Sequence, residues 1–366
     1  MRGKPPRQKD RRVARHAPAA AGLRLTVLGQ ALIQHDLRTD PWPDFAMLAE
    51  MFRRADVCFT DLETAIRSPL AEAPTREGVF LHAADPVALD CLKDMSISLL
   101  ATANNHVWDL GAGGVVGMLA ELDARGLVHA VAGADLAAAA APGYRRTANG
   151  TVALVAMASG AVRDGAATWA MRPGVNELRR DADGALDAAD VARIIASISE
   201  AAGHAEIVLA YHHNHILEEG GRRTPEWQRA FARRCIDAGA SLYVSHGAPR
   251  LHGIELYRGR PIFYNIGNLI FQTATEDGFY DDAVWQSVVA ECRFVRGRFR
   301  DMRLTPLQLN SRGIHGAGDL VTRGRPSIAR GAAAAAIFDR LAELSQPYGT
   351  AFERVGGTTI GSMAEG

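Results

Sequence analysis

Short apolar runs alternate along this chain with segments whose apolar residues recur every three or four positions. That alternation predicts strands and helices in turn. Runs at 23–28, 57–60, 97–100, 151–157, 206–211 and 241–245 read as strands. The stretch 43–54 reads as a helix with Phe45, Leu48, Met51 and Phe52 on one face. Asp85-Pro86 predicts a helix start, with Asp85 as N-cap and proline at the first helical position. Further helices are expected from the polar loop at 104–106 to Arg125, stopped by Gly126, and at 137–141, 187–202, 224–236 and 328–344. Strands at 251–254 and 261–265 flank a turn at 257–260, and two more are expected at 285–294 and 299–304. Repeated strand–helix alternation implies an α/β fold with its sheet covered on both faces.

Composition changes this picture little. The chain has 366 residues, 48% apolar and 22% charged, which one large α/β domain with insertions accommodates. Basic and acidic residues balance at 41 each, so no global field favours nucleic acid or an anionic membrane as partner. The local exception is the N-terminus, where Arg2, Lys4, Arg7, Lys9, Arg11, Arg12 and Arg15 face only Asp10. Residues 1–22 are therefore expected to be a disordered basic arm, 23–310 the folded domain, and 311–366 a helical extension and tail. No apolar stretch is long enough for a signal segment or a membrane helix. Cys58, Cys91, Cys235 and Cys292 are scattered in apolar contexts and read as buried thiols. A cytoplasmic location is expected.

Chemistry-bearing residues gather just after strands, where α/β folds place their sites. Asn104-Asn105-His106 follows the run at 97–100, supplying two amides and an imidazole suited to a metal, a phosphate or a proton. Gln30 follows the first strand, with Asp36 and Arg38 nearby. Asp61 and Glu63 follow the second. His213 and His215 follow the run at 206–211, and His246 follows 241–245. Each cluster alone has a structural explanation in capping or turn formation. Five of them after strands point to one shared site.

These residues resemble the CapA family, linked to poly-γ-glutamate capsule synthesis. The resemblance lies in the order Gly29-Gln30, Asp61-Leu62-Glu63, Ala103-Asn104-Asn105-His106 with Asp109 and Gly111, His213-Asn214-His215, Gly253-Ile254-Glu255 and Phe263-Tyr264 with Gly267-Asn268. It spans about 23–273 and implies the calcineurin-like metallophosphatase fold, a two-sheet sandwich flanked by helices. It further implies that Asp61 or Glu63 is a bridging acid, that Asn105 and His106 form an Asn-His pair, and that His213 is a ligand. Two departures stand out. The family has Gly-Asp where this chain has Gly29-Gln30, and Gln30 offers a carbonyl without charge. The family also usually has His-Pro-His near Gly253-Ile254-Glu255, where counting back puts Gly247 and Pro249, neither able to bind metal. Only His246, shifted by one, remains. At most one divalent cation is therefore expected, held by Asp61, Asn105 and His213, and no cofactor is required.

Without two metals a phosphoesterase loses its nucleophile generator and charge clamp. The surviving groups His106, His213, His215, His246, Asp61 and Glu63 suit proton abstraction and return at a carbon acid, with bases from opposing loops on its two faces. Gln30, Asp36, Arg38, Asn104, Asn105, Arg250 and Asn268 are expected to bind substrate, with Asn104, Asn105, Arg38 and Arg250 as oxyanion donors. In size and composition the chain is also similar to the peptide epimerases of lasso-peptide pathways. That resemblance implies inversion of the C-terminal residue of a ribosomal precursor peptide, the expected partner. The alternative is a CapA-like enzyme of γ-glutamyl polymer metabolism or a metal-dependent phosphoesterase. A non-catalytic binding module is the third possibility. Trp42, Trp108 and Trp169 are candidate aromatic walls, with a core role the more usual one for such side chains, and the polar loops 67–79 and 274–282 are candidate covers.

Overall fold

In the computed structural model, which describes residues 22–40, 42–130, 132–163, 172–354 and 361–364, the predicted alternation becomes two sheets facing each other. One is nine-stranded. Its parallel core runs Val128–Ala130, Leu99–Ala101, Val57–Asp61, Leu23–Val27, and continues antiparallel into Gln286–Val295 and Arg298–Leu309. The other is six-stranded, in the order Ile254–Tyr257, Arg260–Phe263, Leu242–His246, Ile207–Asn214, Gly150–Ser159, Gly143–Thr147. It is parallel at its centre and antiparallel at both edges.

The period-two geometry of a strand explains how one segment serves two cores. Every residue of Ile207–Asn214 is buried. Leu209 and Tyr211 face the core between the sheets, and the Tyr211 ring lies 5.4 Å from that of Phe59 in the opposite sheet. Val208 and Ala210 face the other way, onto Phe231, Ile194 and Ile198 of the covering helices Ala188–Ala202 and Glu226–Asp237. Asp187 caps the first of these through the backbone N–H groups of Ala189 and Asp190.

Several elements differ from expectation. Helix Val87–Asp94 starts after Pro86, and Asp85 contributes its carbonyl to Ala88 N, not a side-chain cap. The strand expected at 251–254 begins only at Ile254, because Leu251 and His252 are tied to Ile266 and Asn265 across a tight crossing. The short pair Gln30–Leu32 and Asn268–Phe271 was not predicted, being too short to show periodicity; it sets Asn268 opposite Gln30. Within 311–366, Pro326–Ile328 pairs with Arg298–Leu309, and helix Gly331–Ser345 adds Ile337, Phe338 and Leu341 to the main core. Trp108 is core, and Trp42 is partly buried on Phe45 with its Nε1–H donated to Pro326 O. Neither is a free aromatic wall. Trp169 and residues 1–21 of the basic arm lie outside the described residues. All four cysteines are free and buried. Among the described residues no helix is long and apolar enough to cross a membrane.

The carboxyl ends of the parallel strands converge where the two sheets meet. The crossing is tight at Gly247, which follows Leu242–His246 with φ +124°; a Cβ there would lie 2.0 Å from Asn214 O. Gly247→Ala should therefore cost at least ~2 kcal/mol in urea unfolding, from backbone strain and the clash together. Gly203→Ala is the control. Its added Cβ meets nothing closer than Glu200 O at 3.4 Å, and it should change stability by under ~1 kcal/mol.

Candidate active site

Glu63 is the centre of the convergence. It is buried two residues beyond Val57–Asp61, and three imidazoles aim their Nε2 atoms at its Oε1. The distances are 3.7 Å from His213, 3.9 Å from His215 and 4.0 Å from His106. Its second oxygen, Oε2, is buried without a hydrogen-bond partner. Glu63, His106 and His215 line a cavity of about 270 Å³, with Arg76, His82 and Asn105 beside them and Leu32, Phe80, Phe271 and Tyr280 as its apolar part.

The imidazoles are held from behind. His106 Nδ1 lies 2.8 Å from Asp109 Oδ2, and Asp109 also accepts from Arg76 Nε at 2.8 Å and from His82 N at 3.0 Å. His213 Nδ1 lies 3.1 Å from Asp61 Oδ2, and its Nε2 lies 2.9 Å from Asn105 Oδ1. Asn104 is a brace: its Nδ2–H donates to Leu62 O and Asp61 Oδ1, and its Oδ1 accepts from His106 N. A carboxylate behind an imidazole fixes the ring's orientation and raises its basicity. His82 stacks on His106 with ring centroids 3.7 Å apart.

Seven of the expected residues thus meet: Asp61, Glu63, Asn104, Asn105, His106, His213 and His215. Gln30 lines the same cavity, but its Oε1 accepts from Gly247 N at 3.1 Å, so two departure positions are tied to each other. The remaining expectations need correction. Arg38 pairs with Asp36 and with Asp94 away from the cavity, because a short helical turn follows the Gln30–Leu32 strand and carries both expected residues off. Arg250 pairs with Asp281 and lines a different cavity. Asn268 spends its amide N–H groups on Pro249 O and Val284 O. His246 is buried against Tyr211, both ring nitrogens unpartnered, and does not line the cavity. The bases expected from opposing loops in fact converge on one carboxyl group. His82, Arg76 and Tyr280 were missed. Arg76 and Tyr280 come from the two loops read as covers, and Asp109 stood in the quoted motif, but nothing singled out His82.

Burial dominates the electrostatics. It pushes the Glu63 carboxyl up to about 8, and His213, the next influence, only partly offsets this. Burial lowers His215 to about 4 and holds His106 and His82 well below the ordinary imidazole range. Near neutral pH the cavity therefore combines a protonated Glu63 carboxyl with neutral imidazoles at His106, His82 and His215. The same atoms fit a divalent cation. Glu63, His213 and His215 offer ligand atoms within 4.8 Å of one another, with an unspent carboxyl oxygen and the Asp61 carboxylate behind His213. Glu63, His82 and His106 form a second such group, sharing the Glu63 carboxyl. Of the expected ligands Asp61, Asn105 and His213, only His213 belongs to either.

Residues 13–273 match the family described as bacterial capsule synthesis protein PGA_cap. The chain is 28% identical to the "Uncharacterized protein y4sH" of Sinorhizobium fredii, over 90% of each chain. It is 32% identical to a "Probable polyglutamine synthesis accessory protein" of Mycobacterium tuberculosis, covering 73% of this chain and 68% of that one. It is 33% identical to the "PGA biosynthesis protein CapA" of Bacillus subtilis, covering 51% and 46%. A hypothetical protein from Thermus thermophilus aligns in structure with a TM-score of 0.48 at 14% identity, over 78% of this chain and 99% of that one.

The raised Glu63 has a stability consequence. Between about pH 4.5 and 8 the folded protein keeps a proton that the unfolded chain has released, so stability falls as pH rises through that window. Glu63→Gln removes the dependence. Its melting temperature relative to wild type should rise from about pH 5 to about pH 8, by the equivalent of up to a few kcal/mol. Parallel pH dependences for the two proteins would show that Glu63 ionises freely in the fold.

Proposed function

The chain belongs to the bacterial capsule synthesis protein PGA_cap family, and on that footing we propose that it is an acid–base isomerase inverting one Cα of a peptide. We take the architecture to be the calcineurin-like metallophosphatase sandwich. The observation that carries the reading is the His106–Asp109 pair, 2.8 Å apart, with a neutral imidazole at a small cavity whose Gln30 and Gly247 positions are hydrogen-bonded to each other. The similarity to lasso-peptide epimerases makes the substrate residue the C-terminal one of a ribosomal precursor.

In this mechanism His106 Nε2 takes the Cα proton while Asp109 holds Nδ1. The C–H electron pair moves into the adjacent carbonyl, giving an enolate. Arg76 and the Asn105 amide line the cavity as donors to its oxygen. Inversion requires a proton from the other face, and the converging imidazoles cannot supply it from one carboxyl-centred cluster. Tyr280, on the second covering loop, is the group assigned to return it; burial raises its phenol above the ordinary range, keeping it protonated. Glu63, His213 and His215 would hold a divalent cation, whose chemistry here is to polarise a bound carbonyl or carboxylate oxygen.

That same donor set favours a second reading. Two histidines and one glutamate with an open side are the ligands of one-metal hydrolases, and a CapA-type hydrolase of glutamyl amides would use them. The two readings differ in product.

Precursor-like peptides taken from short reading frames beside the gene should, in D₂O, gain one deuterium at one Cα and yield the D-epimer. His106→Ala should slow this by ~10²–10⁴-fold. Tyr280→Phe should keep exchange but lose inversion. Cleaved peptide without exchange would establish the hydrolase reading. Neither product from any such peptide sinks the isomerase. Metal content is measured alongside: loss of exchange with chelator, restored by one cation, gives the Glu63 cluster its role in this reaction.

A further inference from the structure

Strand Leu23–Val27 leads into Gln30 and the Glu63 cavity; near its start, Arg24 lines a separate cavity of about 280 Å³. The register across Leu23–Val27, Gln286–Val295 and Arg298–Leu309 builds it. Leu25, Cys292 and Met302 align and are buried in the main core, so the rows on either side of them turn to the opposite face. One such row is Arg24, Arg293 and Asp301, and the other is Thr26, Glu291 and Arg303. Arg54, just past helix Phe45–Arg53, completes the charged lining.

Four arginines and two acids leave the lining with two positive charges, four minus two. Arg293 is held by both oxygens of Asp301. Arg24 stands directly opposite Arg293 on the neighbouring strand, an unfavourable placement of like charges. Neither Arg24 nor Arg303 makes an ion pair among the described residues, and Arg54 has one long contact, its Nε 3.5 Å from the exposed Glu50. Glu291 is partly buried among them and likewise makes no ion pair. Burial raises its carboxyl, and Arg303, Arg54 and Arg24 offset this only in part.

Guanidinium groups donate and cannot accept, whereas a carboxylate accepts and cannot donate. Three arginines around one carboxylate are therefore complementary to an oxyanion that carries a proton of its own. An anion without that proton would meet Glu291 as an unrelieved like charge. We propose that this cavity binds hydrogen phosphate, its three bare oxygens accepting from Arg24, Arg54 and Arg303 and its P–OH donating to Glu291. The two negative charges of the ligand match the two positive charges of the lining. The proposal holds whichever chemistry the Glu63 cavity performs.

The full chain is titrated calorimetrically with phosphate, sulfate and methyl phosphate at equal ionic strength and about pH 8, where phosphate carries two charges and one proton. Phosphate should bind saturably. Sulfate and methyl phosphate have the charge without the proton and should bind tenfold or more weakly, a difference of roughly 1.4 kcal/mol. Glu291→Gln should erase that preference, because its amide can donate to a bare oxygen. Arg24→Ala with Arg303→Ala should weaken phosphate about tenfold or more. Arg222→Ala with Arg234→Ala removes equal charge from exposed positions outside this cavity and should leave binding unchanged. Circular dichroism confirms that the variants fold. Absence of phosphate binding, a proton-free dianion bound as tightly as phosphate by the wild type, or phosphate binding that survives loss of Arg24 and Arg303 would each overturn the proposal. Because no turnover is read, failure here leaves the isomerase question where it stood.

Discussion

A carboxyl group buried with one oxygen unbonded is a liability in any fold, because it can neither ionise cheaply nor satisfy its lone pairs. Glu63 is in that position, and the surrounding structure is arranged around it. Two sheets supply the walls, and the ends of two parallel strands, Leu99–Ala101 and Ile207–Asn214, supply the three imidazoles that face its Oε1. Holding such a group in place requires a rigid frame. Phe59 and Tyr211 pack across the sheets just below the site, and Asn104 ties the loops of Asp61, Leu62 and His106 together. The stability this core generates is what allows an unfavourable carboxyl to persist.

The link between Gln30 and Gly247 has a different physical sense. A charged acid at position 30 and an imidazole at 247 would pair with each other or coordinate a cation between them. An uncharged amide and a backbone N–H satisfy each other and need no ion. That side of the cavity is therefore electrically quiet, and the imidazoles and carboxyl groups are confined to the Glu63 side. Such a division suits a substrate whose one reacting position faces the cluster while its remaining atoms meet Leu32, Phe271 and Tyr280. It is less suited to a phosphoester, whose charge needs clamping from both sides.

The frame was legible because buried parallel strands are unbroken apolar runs and their helices repeat apolar residues every three or four positions. The site was legible in part because chemistry follows strand ends. Period two also sorts the neighbours His212 and His213: the first faces Ser159 and Tyr243 behind the sheet, the second faces Asp61. Chain proximity misled at Asp36 and Arg38, which are near Gln30 in sequence but beyond a strand and a turn in space. His82 was invisible for the opposite reason. It precedes the two-residue strand Ala83–Ala84, whose pairing with Ala65–Ile66 brings it over His106. Pairings that short leave no periodic mark.

Convergence on one carboxyl group also constrains any mechanism placed here. Oε1 lies within 4.0 Å of three ring nitrogens, too little room for a substrate carbon between acid and base. The cluster therefore acts from one face, either as a proton-sharing set or as the ligands of a cation, and the opposite face belongs to the covering loops. Those loops carry Arg76 and Tyr280, and Phe80 and Phe279 beside them are half or more exposed. In the proposed reaction the division of labour would follow the division of structure. Proton affinity is set deep in the rigid sheets, where burial can tune it. In the proposed isomerisation, stereochemistry would be decided at the loops that carry Arg76 and Tyr280.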